Sequence, residues 1–354
     1  MADRSTDETA GRIADRLADL IADRTIGDTG GWDVVTLGEC LVAFVATELG
    51  PLAEATTFAR HVAGAEANVA VGLARLGHRP AFIGRVGADG FGTAIVRALR
   101  GAGVGVDWLA VDSGAPTGHL FRERRALGPA EVVYARTDSA GSRLGHGDVD
   151  AAAAAGAFDR ARWLHLTGIT PALSSSCRSA VDTAVDHARQ RRLTVSLDLN
   201  LRRKLWSEED ARPALADLAG RADVVLGSED EAAVVTGLDE ASPAESLLDA
   251  LLDLGPTLAV LKRGQRGAIA RARDGETVTR PALAVAAVDP VGAGDAFCAG
   301  FIGARLDGAD VGRALEVGNA CGAAAAATVG DQAGLPDSIE LDRILAASSR
   351  DAIR

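Results

Sequence analysis

Between Asp289 and Phe301 the chain reads DPVGAGDAFCAGF, in which an apolar, strand-like run (Ala284 to Val288) turns through Gly292 and Gly294 into a helix. Such a turn leaves backbone N–H groups unpaired at a helix N-terminus. There they and the helix dipole favour a phosphate or a developing oxyanion, and glycines admit close approach. Asp295 falls in the first helical turn. A carboxylate in that place can take the proton of an attacking hydroxyl while the amides around Gly292, Ala293 and Gly294 stabilise charge on a transferring phosphoryl group. The plainer alternative is a Gly-rich turn whose Asp caps the helix. The GxxxxGK[ST] pattern of a P-loop is absent.

A second chemistry-bearing stretch, AGAEANVAVGLARLGHRPAFIGRVGADGFG (63–92), opens on Gly64 and puts Asn68 at the start of a helix. Asn68 either caps that helix or hydrogen-bonds a polar ligand lying over Gly64, where no side chain intrudes. Arg85 and Asp89 read as ion-pair and turn residues. Arg136 and Arg202 each carry a fork of donors that suits a planar carboxylate, and Tyr134 is the only tyrosine.

These residues need elements to position them. From Asp33 onward, apolar runs without polar alternation (34–38, 81–84, 163–168, 193–200, 222–228, 258–264) interleave with helical segments such as 66–77 and 177–190. That rhythm predicts a mostly parallel sheet covered by helices on both faces, with ligands at the carboxyl ends of the strands. Two segments break it: 41–62 and 117–136 read as antiparallel strands outside the main sheet, forming a small lid. Residues 1–31 read as an appended amphipathic helix (Ile13, Leu17, Leu20, Ile21) and a Gly-rich linker from Gly27 to Gly31, the helix packing on the body or on a second subunit.

Composition narrows the function. With 37 Lys and Arg against 49 Asp and Glu, the net charge of −12 repels nucleic acid and anionic membranes. Cys40, Cys177, Cys298 and Cys321 lack metal-ligand spacing and read as buried reduced thiols. No signal-peptide-like run or long apolar span is present, which fits a cytoplasmic protein; a homo-oligomer is compatible with all of this.

AGAEANVAVGLARLG resembles the N-terminal signature of PfkB (ribokinase-like) carbohydrate kinases, and DPVGAGDAFCAGF their C-terminal signature, in the same order and separation. The resemblance spans about Trp32 to Arg343. It implies an α/β ribokinase-like three-layer sandwich with a small β lid, a kinase domain over 32–345 with lid segments at about 41–63 and 116–137, and ATP-dependent phosphorylation of a sugar hydroxyl. Within the family, LGECLVAF, YARTDSAGSRL, LHLTGITPAL, SLDLNLRRKLW and LGSEDEA are most similar to 2-keto-3-deoxygluconate kinases. Carried over, that similarity implies a sugar-acid site lined by Gly64, Asn68, Tyr134, Arg136, Ile169, Arg202 and Asp331. It implies an ATP site at Asn200, Ser228, Lys262, Arg263, Gly264, Gly267, Ala268, Gly292, Gly294 and Asn319, with Asp295 as base.

ATP implies Mg2+, for which Glu231 is the candidate ligand, and the resemblance allows a monovalent-cation site near Asp289. Two departures stand out: His119 and Leu120 replace an aromatic that related kinases often place over the sugar, and Pro290 replaces a frequent Thr. The rivals are another sugar kinase, such as a fructokinase, a ribokinase or a related deoxy-sugar-acid kinase, and a non-catalytic nucleotide- or sugar-binding regulator. The intact GAGD argues against the last.

Overall fold

A computed structural model describes residues 4–22, 31–128 and 130–351. The strands in chain order are β1 (Val34–Leu37), β2 (Leu41–Leu49), β3 (Phe58–Ala63), β4 (Pro80–Gly87), β5 (Gly105–Asp112), β6 (His119–Arg124) and β7 (Val132–Ala135). They continue as β8 (Trp163–Thr167), β9 (Thr194–Asp198), β10 (Val224–Ser228), β11 (Leu258–Lys262), β12 (Ala268–Ala272) and β13 (Thr277–Arg280). One sheet runs β13-β12-β11-β10-β9-β8-β1-β4-β5, parallel from β11 to β5, with the β12–β13 hairpin added antiparallel at one edge.

The parallel strands show no polar alternation because both faces are covered. In β11, Leu258 and Val260 enter one core while Ala259 and Leu261 enter the other. The first core includes helices Ala65–Arg75, Gly90–Gly101, Ala293–Leu306 and Val311–Ala326; the second includes Ser175–Gln190, Glu208–Arg221 and Ala244–Leu254. The result is a three-layer sandwich.

β2, β3, β6 and β7 form the separate four-stranded sheet, ordered β3-β2-β6-β7. Its outer pairs are antiparallel as expected, but the central β2–β6 pair is parallel, because the chain enters the second excursion from β5 rather than by a hairpin from β3. Two further corrections concern the main sheet. The stretch 284–288, read as a strand, is extended loop: Val288 N donates to Ala326 O at 2.8 Å, so the segment is held along a helix end instead of in a ladder. β5, β12 and β13 carry no continuous apolar run and were not anticipated.

The N-terminal helix Arg4–Ala22 packs on the body of this same chain. Leu17 is 1% exposed, Ile13, Leu20 and Ile21 abut the same core, and the Arg100 guanidinium donates to the Leu20 carbonyl. The expected linker falls on residues outside the described ones, apart from Gly31. Among the described residues, no helix is long and apolar enough to cross a membrane.

Candidate active site

β1, β8, β9, β10 and β11 all end on the same edge of the sheet, and the chain's polar residues collect there. β1 is the switch point, flanked by β4 on one side and β8 on the other, which is where an open α/β sheet leaves a crevice.

Asp295 lies in the first turn of helix Ala293–Leu306 and is 7% exposed. Asn68 Nδ2 donates to its Oδ2 at 2.8 Å, and Asn200 Nδ2 approaches its Oδ1 at 3.4 Å. Burial pushes the Asp295 carboxyl up to about 7. The Asn68 hydrogen bond opposes this, the Asp198 charge adds to it, and the Arg202 and Lys262 charges oppose it. Asn68 does not cap its helix, whose N-cap is Gly64: its amide spans Asp295 and Gln332, whose Nε2 donates to its Oδ1 at 3.0 Å and fixes the amide orientation. Gly64, at φ 138°, must be glycine, because a Cβ would stand 2.5 Å from the Glu39 carbonyl oxygen.

The turn before Asp295 is built for an anion. Gly292 adopts φ 81°, and the amides of Gly294 and Asp295 have no acceptor among the described residues. Lys262 Nζ, at the end of β11, lies where a Cβ on Gly294 would be 3.4 Å away, so an ammonium stands beside the exposed amides. Asp198 at the end of β9 holds it with hydrogen bonds of 2.6 and 2.7 Å. Burial works against the Lys262 charge, but Asp198, with Cys298 and Glu231 adding to it, outweighs burial and holds the ammonium above its usual range.

From that turn a cleft of about 570 Å³ runs outward, lined by Lys262, Arg263, Gly264, Gly267, Ala293, Gly294 and Asn319 and by the apolar Leu283, Val285, Phe297 and Ala323. Its size and largely apolar walls suit a purine nucleoside. Asn319 donates to the carbonyls of Arg280 and Pro281, shaping the wall, and Arg263 pairs with Glu229. Ala268, expected to face ATP, is fully buried in β12 and does not line the cleft. Ser228 ends β10. Its N–H donates to Glu231 Oε2 at 2.9 Å, while Glu231 Oε1 accepts from Leu201 N at 2.9 Å. Glu231, expected as a metal ligand, thus caps helix Glu229–Thr236 with Oε2 and ties the loop after β9 to that helix with Oε1, and no cluster of metal-ligating side chains exists among the described residues.

On the sugar side, Ile169 N donates to Thr167 Oγ1 in the turn after β8, and Asp331 is half-buried behind Gly292. Tyr134, in the lid, is exposed, with the Arg136 guanidinium 5.4 Å from its ring centre. Arg136 was expected to offer a free fork, but its Nε donates to Glu39 Oε2 at 2.7 Å, and Ser139 Oγ holds the other Glu39 oxygen at 2.5 Å. Glu39 is 2% exposed and needs that cation. Arg202 is the opposite case: it is exposed, close enough to Asp295 to influence its titration, and its guanidinium has no hydrogen bond or ion pair among the described residues.

Three participants were not singled out from sequence. Glu39 anchors Arg136, Glu66 accepts from Thr167 and Thr170 at 2.7 and 2.5 Å to hold the turn at Ile169, and Arg122 pairs with Asp289. The available signal was a charge inside an otherwise apolar or Gly-rich run (GEC, GAEAN, LFRER), which must be buried with a partner. Arg85 pairs with Asp112 and Asp148, and Asp89 caps helix Gly90–Gly101 and accepts from Thr117. Both are structural, as expected.

An unpaired amide turn, a buried carboxylate pushed toward neutrality, a lysine beside the turn and a nucleoside-sized cleft fit a phosphotransferase acting on a hydroxyl. The match to the pfkB family carbohydrate kinase model over residues 33–338 settles the family: the chain belongs to it, and is a sugar kinase with the ribokinase-like fold. It is 38% identical over 318 residues to a 2-dehydro-3-deoxygluconokinase of Thermoproteus tenax, covering 89% of this chain and 94% of that one. It is 37% identical to the Bacillus subtilis (strain 168) enzyme of the same name, covering 89% and 96%. Among solved structures it resembles a fructokinase double mutant of Vibrio cholerae O395 in its fructose-, ADP- and potassium-bound form, with TM-score 0.78 and 29% identity over 90% of this chain and 99% of that one.

Proposed function

We propose that the enzyme transfers the γ-phosphoryl group of ATP to the primary hydroxyl of 2-dehydro-3-deoxygluconate, or a close 2-keto-3-deoxy sugar acid, giving the 6-phosphate and ADP in a reducing cytoplasm. The observation that carries this reading is the uncommitted guanidinium of Arg202 beside Asp295. A neutral hexose gives that charge nothing to pair with, whereas a sugar acid offers a carboxylate. The names borne by the relatives at 37–38% identity support it.

In the transfer, the Asp295 carboxylate accepts the hydroxyl proton as the sugar oxygen bonds to the γ-phosphorus and the bond to the β-phosphate oxygen breaks. The amides of Gly294 and Asp295 and the Lys262 ammonium face the charge that builds on the phosphoryl oxygens. Mg2+ enters as part of the nucleotide substrate, held by phosphate oxygens and water, since both Glu231 oxygens are already taken by backbone donors.

Coupled ADP-release assays over neutral sugars and sugar acids test the reading. The keto-deoxy acid should give the highest kcat/KM, and Arg202→Ala should raise its KM about 10- to 100-fold with the KM for ATP unchanged, as losing a hydrogen bond to a charged group worth ~1.5–3 kcal/mol requires. A neutral hexose as best substrate, or an unmoved KM for the acid, removes the sugar-acid assignment and leaves the sugar kinase.

A further inference from the structure

Asp289 opens the anion-binding turn, and every acceptor position of its carboxylate is filled. Arg122, reaching from β6 of the lid, donates from Nη1 to Oδ1 at 2.9 Å and from Nη2 to Oδ2 at 2.6 Å. Val291 N donates to Oδ1 at 3.2 Å and Gly330 N to Oδ2 at 3.3 Å. A carboxylate has about four lone-pair sites, and these four donors occupy them. The Arg122 side chain is 7% exposed and Nη2 also stands 3.9 Å from Asp331 Oδ1. One buried guanidinium therefore faces two carboxylates on the two loops, 289–292 and 330–331, that meet behind Gly292.

A monovalent cation at Asp289 does not fit these residues. It would have to displace a bidentate guanidinium or share a buried site with it, one like charge against another. We propose that Arg122 is a built-in replacement for a monovalent cation at Asp289, a positioning residue that fixes the phosphate-binding turn from the lid and leaves the enzyme independent of monovalent-ion activation. The sugar kinase activity is enough for this; the identity of the sugar does not enter.

The test uses the full chain and the best substrate found. Replacing KCl by tetramethylammonium chloride at equal ionic strength should change turnover and melting temperature by no more than about twofold and about one degree, and crystals soaked in rubidium chloride should show no anomalous peak at Asp289. Arg122→Ala should lose ten- to a hundredfold in turnover and recover part of it in millimolar guanidinium chloride but not in urea, with Arg122→Lys falling between alanine and wild type. Potassium activation of wild type by tenfold or more, or rubidium bound at Asp289, overturns the proposal. So does a folded Arg122→Ala that turns over at the wild-type rate or ignores guanidinium. If the alanine variant does not fold, the wild-type ion exchange and the rubidium soak decide alone.

Discussion

Asn68 and Asp295, 227 positions apart in sequence, meet through a 2.8 Å hydrogen bond between the first turns of two helices. The contact favours the ionised form of the carboxylate against burial that disfavours it. Replacing the carboxylate by its amide isostere keeps the shape and removes the proton acceptor. Asp295→Asn should bind ATP and sugar acid as wild type does by calorimetry, with turnover down by about 10²- to 10⁴-fold. Turnover within a few-fold of wild type would remove Asp295 from the mechanism.

The same carboxyl sets the pH dependence. It must be ionised to act as base, so kcat/KM should rise with pH through an inflection near the value of about 7 to which burial pushes Asp295. Asn68→Ala withdraws a hydrogen bond that favours the charged form, so the inflection should move to higher pH. Linkage gives a second readout. Folded Asp295 holds its proton where the unfolded residue, at its ordinary 3.8, has lost it. Its contribution to stability is therefore full below that value and is lost as pH rises from there through about 7, at ~1.4 kcal/mol for each pH unit crossed. Denaturation at pH 5 and pH 8 should show a larger decline for wild type than for Asp295→Asn.

Lys262 and Asp198 stabilise each other only as a pair. Asp198→Ala leaves an ammonium buried beside Cys298, and should cost ~3–5 kcal/mol in urea denaturation. The double variant Asp198→Leu with Lys262→Met should cost less than the sum of the two singles, yet still raise the KM for ATP, since the ammonium facing the amide turn is gone.

Arg136→Ala is expected to act in two ways that can be separated. It strands the Glu39 carboxylate, which lowers the melting temperature, and it raises the KM for the sugar acid if the outer face of the guanidinium also meets the substrate. Adding Glu39→Gln should restore the melting temperature without restoring KM. Recovery of both together would confine Arg136 to holding Glu39.

Leu17→Ala probes the N-terminal helix. Emptying this fully buried position should cost ~2–5 kcal/mol while leaving kcat at the wild-type level, because the helix packs mainly on helix Gly90–Gly101 and β5, which carry none of the site residues.

In the main sheet the strands legible in sequence were those buried on both faces, β1, β4, β8, β9, β10 and β11, because burial of both faces writes a continuous apolar run; the lid strands were legible as breaks in that rhythm. β5, with Asp107 and Trp108, and the β12–β13 hairpin at the other edge are only partly covered, so their sequences carry charge and no run. The Asp295 turn was legible for a different reason: local backbone conformation demands Gly at 292, and local order places the acid. The partner of Arg136 was not, because nothing within the segment around Arg136 names Glu39, 97 positions away. A lone arginine in sequence looks the same whether it waits for a ligand or already holds a carboxylate.

The lid is made by two excursions, β2–β3 leaving β1 and returning to helix Ala65–Arg75, and β6–β7 leaving β5 and returning ahead of β8. Both excursions start and finish on the body, so residues 41–63 and 119–135 behave as two exchangeable cassettes on a constant chassis. Recombining them with those of a relative would change which sugar is enclosed while Asp295, Lys262 and the nucleotide cleft stay in place. The two would have to travel together, since β2 and β6 pair in parallel, Leu52 N donates to Glu123 and Phe58 packs on Phe121, and any donor lacking an arginine at the position of Arg122 would leave Asp289 without its buried cation.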